Sequence, residues 1–180
     1  MKNKMIFITA LSAIVFAVVL PLFIVTKSAA LEILTITVGV TLYHFAMRLA
    51  IGTAVNLIMK NQADHTRAWF REKRFEEKLY RCLRVREWKE YLPTYRPQTF
   101  DASKKTVREL IGATCQAEVV HEIIMVLSLL PIAFIPLLGG AAAMIVTSVL
   151  SMLFDSLFVI LQRYNRPKLV RVMSRFERLK

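Results

Sequence analysis

Apolar positions dominate four stretches of the chain, Met5 to Thr26, Leu31 to Met59, Val119 to Leu138 and Ala141 to Leu161. Crossing the hydrocarbon layer takes about 20 residues at about 1.5 Å each, so each stretch predicts a transmembrane helix. The first is uncharged, with Pro21 near its far end. The second is longer than a span requires and carries His44 and Arg48, which predicts a tilt or an extension into the interface. The third and fourth are parted by Gly139 and Gly140, after Pro131 and Pro136, the pattern of a tight helical hairpin. The expected fold class is an all-α integral membrane protein of four transmembrane helices in two hairpins, forming a single membrane domain over residues 1–180. Lys2, Lys4 and the small residues of "KSAA" fit the flanks of a secretory leader. The apolar run exceeds the ~7–15 residues of a leader's hydrophobic region, and is read as a retained span.

Between the spans the pattern changes. From Arg67 to Leu92, "RAWFREKRFEEKLYRCLRVREWKEYL" interleaves aromatic and basic residues. Phe75, Leu79 and Cys82, then Val85, Trp88 and Leu92, recur at three- and four-residue steps, which predicts one apolar stripe on each of two short interfacial helices. Trp69, Tyr80, Trp88 and Tyr91 suit the headgroup layer. Pro93 and Pro97 should end this segment. Ser103 is the expected N-cap of the next helix, which runs into the third span. On it Val107, Leu110, Ile111 and Thr114 mark an inward face, and the same spacing carries Glu118, His121 and Glu122 onto that side, with Cys115 beside them. After the fourth span, Asn165 is the expected turn and Pro167 the first position of a basic amphipathic tail helix over 163–180, with Leu169, Val172, Met173 and Phe176 on one face.

Charge adds sidedness. The chain is 56% hydrophobic yet carries a formal net charge of +12. The Lys and Arg residues lie between and beyond the apolar runs, a placement that excludes a nucleic-acid reader and favours a membrane with anionic inner-leaflet lipids as partners. They concentrate in Lys60 to Arg108 and in Arg163 to Lys180, so both termini and the central segment are expected in the cytoplasm of a multi-pass protein. The two cysteines, Cys82 and Cys115, then lie on the reducing side, and a disulfide framework is not expected.

Few residues could carry chemistry. Glu118 and His121 are spaced to meet on one helix face, and a carboxylate beside an imidazole fixes its tautomer and strengthens it as a base. The same spacing also fits a helix-end ion pair that satisfies only itself. A di-iron reading of Glu-x-x-His needs a second such motif, and with His44, His65 and His121 as the histidines no metal site is expected. In the second span His44, Arg48 and Asn56 share one face. An arginine at that depth needs a partner or a cavity, and Asp155 in the fourth span is the candidate partner. Either a packing pair or an acceptor contact accounts for it.

"CQAEVVHE", followed by "LQRYNRPKL" and preceded by "LYRCLRVREWKEYLP", resembles the glycosyl-4,4'-diaponeurosporenoate acyltransferase family from about Trp69 to Lys168. Ala117-Glu118-x-x-His121 and Gln162 to Pro167 carry the likeness most specifically, supported by Trp88 and Lys89. The resemblance implies esterification of a sugar hydroxyl of a membrane glycolipid with a fatty acyl group. It implies His121 and Glu118 as catalytic residues, and Arg163, Asn165, Arg166, Trp88 and Lys89 as substrate contacts. His44 and Arg48 would line the acceptor side. No cofactor is expected, and acyl-CoA or acyl carrier protein is the expected donor. The family favours Arg where this chain has Gln116. A non-catalytic adaptor for lipid-synthesis enzymes and a small membrane methyltransferase are the alternatives that composition leaves open.

Overall fold

A computed structural model of the chain describes residues 2–92 and 105–178. In order they form α1 (Lys2–Thr26), α2 (Ala29–Met59), a 3-10 turn (Ala68–Phe70), α3 (Glu76–Cys82), α4 (Val85–Trp88), α5 (Val107–Ser128), a second 3-10 turn (Leu130–Phe134), α6 (Ile135–Leu138) and α7 (Ala141–Arg178). Among the described residues four stretches are helical, long and apolar enough to cross a membrane: Asn3–Thr26, Ala29–Met59, Val107–Leu138 and Ala141–Arg178. The protein is therefore an all-helical, multi-pass membrane protein.

Each helix has a local reason for its limits. Pro131 and Pro136 interrupt the third span: each lacks the N–H that would extend an α-helical ladder, and the chain tightens into the 3-10 turn before α6. Gly139 and Gly140 then reverse it with φ of 69° and 63°, a left-handed region that glycine enters without a Cβ penalty. A side chain on Gly140 would also press to 2.6 Å from Ile36 Cγ2. At the start of α5, Thr106 and Glu109 form a reciprocal cap. The Thr106 N–H donates to Glu109 Oε2 at 2.8 Å and the Glu109 N–H to Thr106 Oγ1 at 3.3 Å, satisfying donors that a helix start leaves open. Thr106 thus caps the helix where Ser103 was expected. Ser103, like Pro93 and Pro97, lies outside the described residues.

One expectation is reversed. The chain does not turn at Asn165, and α7 continues through Pro167 to Arg178 as one helix of 38 residues. Proline in a helix forfeits one backbone hydrogen bond. Here Arg163 and Arg166, one turn apart on the same face, both bind Glu118, and that shared carboxylate holds the turns on which Pro167 follows.

The chain divides into two compact units. One comprises Lys2–Gly52 and Ile123–Asp155. Its buried residues include Val19 of α1, Val40 and Met47 of α2, Ile124 of α5 and Met144 of α7. The hydroxyl of Tyr43 donates to the Leu127 carbonyl at 2.7 Å. Arg48 pairs with Asp155 as the sequence suggested, and Nη2 also donates to Ser151 Oγ at 3.2 Å. His44, on the previous turn, is buried.

The other unit comprises Thr53–Glu122 and Ser156–Lys180, and the charged Glu76, Glu118 and Arg166 are buried in it. Leu110, Ile111, Thr114, Cys115 and Glu118 are all buried on α5, as the three-four spacing indicated. Gly112 lets α5 approach the end of α2 so closely that a Cβ there would collide with the Asn61 carbonyl. Gln116 fastens the same crossing: its Oε1 accepts from the Asn61 N–H at 2.7 Å and its Nε2 donates to Asn56 Oδ1 at 3.2 Å.

Candidate active site

In the second unit α3 turns its polar side inward. Glu76 is 3% exposed while Phe75 is 60% exposed, so the apolar stripe of Phe75, Leu79 and Cys82 lies outward. Sequence periodicity locates the stripe but not the polar side, which carries Glu76 inward. Val85 of α4 is fully buried. Arg84, which precedes it, takes a left-handed conformation with φ of 49°, and this turns α4 relative to α3.

The inward Glu76 meets a charge cluster built on α5 and α7. Glu118 has no solvent exposure. Its Oε1 accepts from Arg163 Nη1 at 2.5 Å, and its Oε2 is paired with Arg166 Nη2. Arg163 also reaches Glu76, with Nε at 2.8 Å and Nη2 at 2.6 Å from Oε1. Its remaining donors go to the carbonyls of Trp69 and Arg71, each at 3.1 Å. Arg166 donates to the Phe70 carbonyl at 2.9 Å and to Thr114 Oγ1 at 3.3 Å, with its guanidinium carbon 5.0 Å from the centre of the Phe70 ring. Two carboxylates and two guanidiniums thus neutralise one another, and their spare donors satisfy backbone carbonyls of residues 69–71. Buried charges persist where pairing and hydrogen bonding are this complete. Tyr80 extends the cluster, its hydroxyl donating to Glu76 Oε2 at 2.9 Å. Burial, and then that hydrogen bond, raise its phenol above the ordinary value, so it stays a donor.

His121 follows Glu118 by one turn of α5. Its ring stacks on Phe158 of α7 with centroids 4.6 Å apart and planes 10° from parallel, which fixes the imidazole plane. Beside it, Trp69 Nε1 donates to Glu122 Oε2 at 3.0 Å.

The structure therefore brings Glu118, Arg163 and Arg166 into one cluster and sets His121 on the next turn. Both oxygens of Glu118 receive arginine donors, a different partnership from the Glu118–His121 pair that spacing suggested. Asn165 lies half-buried between the two arginines. Trp88 is half-buried, with its Nε1 on the Leu83 carbonyl at 2.8 Å, and Lys89 approaches Glu90 at 3.9 Å. His44 and Arg48 belong to the first unit. Sequence reasoning missed Glu76, whose one signal is an acid in a basic run four residues before a tyrosine, and Phe158, for which there is no signal. Cys82 is exposed, Cys115 is buried, and both are free thiols.

Comparison with curated proteins and with solved structures returns no match. The family model for glycosyl-4,4'-diaponeurosporenoate acyltransferase matches residues 66–175, a stretch that holds α3 to α6, most of α7 and every residue of the charge cluster. On that match, covering more than half of its length, the chain belongs to this family of acyltransferases.

Proposed function

We propose that this acyltransferase esterifies a hydroxyl of a membrane glycolipid, a glycosylated carotenoid or another lipid-linked sugar, with a fatty acyl group, at the cytoplasmic leaflet. The donor is an acyl thioester of coenzyme A or of acyl carrier protein. The observation that supports this reading most directly is the placement of His121. Its ring is held flat on Phe158, one turn beyond a carboxylate whose charge is already balanced.

In this scheme His121 takes the proton of the acceptor hydroxyl as its oxygen attacks the thioester carbonyl. The tetrahedral intermediate collapses, the C–S bond breaks, and the thiolate leaves with the proton carried by His121. Products are the ester and a free thiol, with no cofactor consumed. Glu118 is a positioning residue, fixing the turn of α5 from which His121 projects. Arg163 and Arg166 act through Glu118, while Lys89, Trp88 and Asn165 supply the polar contacts nearer the substrate. The pair of Arg48 with Asp155 fixes helix packing in the first unit. Lys and Arg at the ends of the spans support the cytoplasmic placement of both termini.

The test compares lipid extracts from cells lacking the protein, cells restored with it, and cells restored with His121→Ala. A glycolipid heavier by one fatty acyl group should return with the native protein alone. Full activity of His121→Ala would overturn the assignment of the base. A gain of one methyl group, or no change in any lipid, would overturn the reaction.

A further inference from the structure

An open groove of about 790 Å³ lies in the second unit, bordered by the stretch from Glu72 to Glu87 and by α7 from Tyr164 to Arg171. Its volume is within the range of small-molecule sites. Seven Lys and Arg residues line it against three glutamates. Two of the seven, Arg81 and Arg84, make long exposed contacts to Glu77 and Glu87, at 3.7 Å and 3.8 Å, and such surface pairs hold their partners weakly. Lys168 rests 3.4 Å from the centre of the Tyr164 ring. Lys73, Arg74, Arg86 and Arg171 also line the groove, and none of them makes an ion pair among the described residues.

This arrangement contrasts with the charge cluster beneath it. Arg163 and Arg166, which the family resemblance implies as substrate contacts, are buried on Glu76 and Glu118. Seven other cations, none of them in that buried cluster, line the groove. Guanidinium forks match phosphate oxygens bidentately, and several forks around one concavity suit a ligand with several phosphates better than a single carboxylate. The groove also communicates with the site. Tyr80 and Tyr164 line it and meet edge to face at 5.4 Å. The Tyr80 hydroxyl is bound to Glu76, and Glu76 to Arg163.

We propose that this groove binds a ligand carrying several phosphate groups, and that the ligand is the phosphorylated carrier of the acyl thioester. The proposal deepens the acyl-transfer reading and rests on it. An anionic lipid headgroup offers the same chemistry, so the test separates the two sources. The full chain is placed in nanodiscs of phosphatidylcholine, and binding of coenzyme A is measured for the native protein and for Arg86→Gln/Arg171→Gln. Both positions are exposed, so the variant should keep its helical circular dichroism.

The expected result is saturable binding that weakens with added salt and falls by at least about tenfold in the variant. Equal affinity in both proteins, or no binding to either, would overturn the proposal. In a second arm, native mass spectrometry follows phosphatidylglycerol retained from mixed nanodiscs. Phosphatidylglycerol lost from the variant, with no coenzyme A binding in the first arm, would assign the groove to lipid headgroups and overturn the carrier assignment. Binding is read without turnover. If coenzyme A occupies the groove while the lipid-extract experiment finds no acylated product, the reaction fails and the binding site stands.

Discussion

Arg166 and Glu118 form an ion pair across 48 residues of sequence, with side chains 3% and 0% exposed. Neither charge has a route to water that would compensate for losing the other. The pair therefore governs the stability of the second unit, whereas His121, one turn away and half-buried, does not.

That difference separates structure from chemistry by mutation. Glu118→Gln leaves two buried guanidiniums facing a neutral amide and should destabilise the protein by about 3–5 kcal/mol. His121→Ala should cost no more than about 1–2 kcal/mol while abolishing acyl transfer. Denaturant unfolding in detergent, run beside a transfer assay, checks both. A Glu118→Gln protein of native stability would remove the cluster from its structural role.

The approach of α5 to the end of α2 depends on a missing side chain. Gly112→Ala places a methyl group against the Asn61 carbonyl, and backbone cannot yield as a flexible side chain can. A loss of about 1–3 kcal/mol is expected. Gly52→Ala is the control, because nothing lies within 4 Å of a Cβ there. On α2 it should be neutral or stabilise by up to about 1 kcal/mol. Equal melting temperatures for the two variants would contradict the close crossing.

Gln116 holds α5 against the end of α2. It is 8% exposed and bridges Asn56 to the Asn61 N–H. Gln116→Arg would forfeit the carbonyl acceptor and bury a guanidinium beside Asn56 and Asn61, which offer no counter-charge. It should lower stability by about 2 kcal/mol or more, and a second change that adds a carboxylate nearby should recover part of the loss. A thermal shift series over the single and double variants tests this.

Arg48 and Asp155 invite a double-mutant cycle. Arg48→Met removes the guanidinium that Asp155 faces and should cost about 3–5 kcal/mol. Adding Asp155→Leu should restore about half of that or more, since the carboxylate no longer needs a counter-charge. A double variant less stable than either single one would show that the pair is not the main partner of Asp155.

Much of the helical frame is legible because its signal is local. The four spans stand out by length, and the inward face of α5 by a spacing that reaches from Leu110 to Glu118. The same kind of signal finds the stripe of Phe75, Leu79 and Cys82, but it does not say that this stripe lies outward while Val85 of the next helix is buried. Pro167 is the opposite case. A proline usually marks a boundary, but Arg163 and Arg166 tie the turns preceding it to Glu118, a contact between residues 45 and 48 apart. Arg48 and Asp155 can be matched because each is a lone charge inside an apolar span. The central segment offers many charges of both signs, so Glu118, Arg163 and Arg166 stand out by motif while Glu76 and the wiring of the cluster do not.

The order of the cluster along the chain has a consequence for biogenesis. Glu76 and Glu118 leave the ribosome before Arg163, which lies 87 and 45 residues further on. A helix of seven residues such as α3 is too short to persist in isolation. The nascent chain must therefore carry these two carboxylates without their guanidinium partners at first, and the cluster cannot close until Arg163 and Arg166 have emerged. A chain that stops before Arg163 would hold all four apolar runs and neither of the guanidiniums that neutralise Glu118.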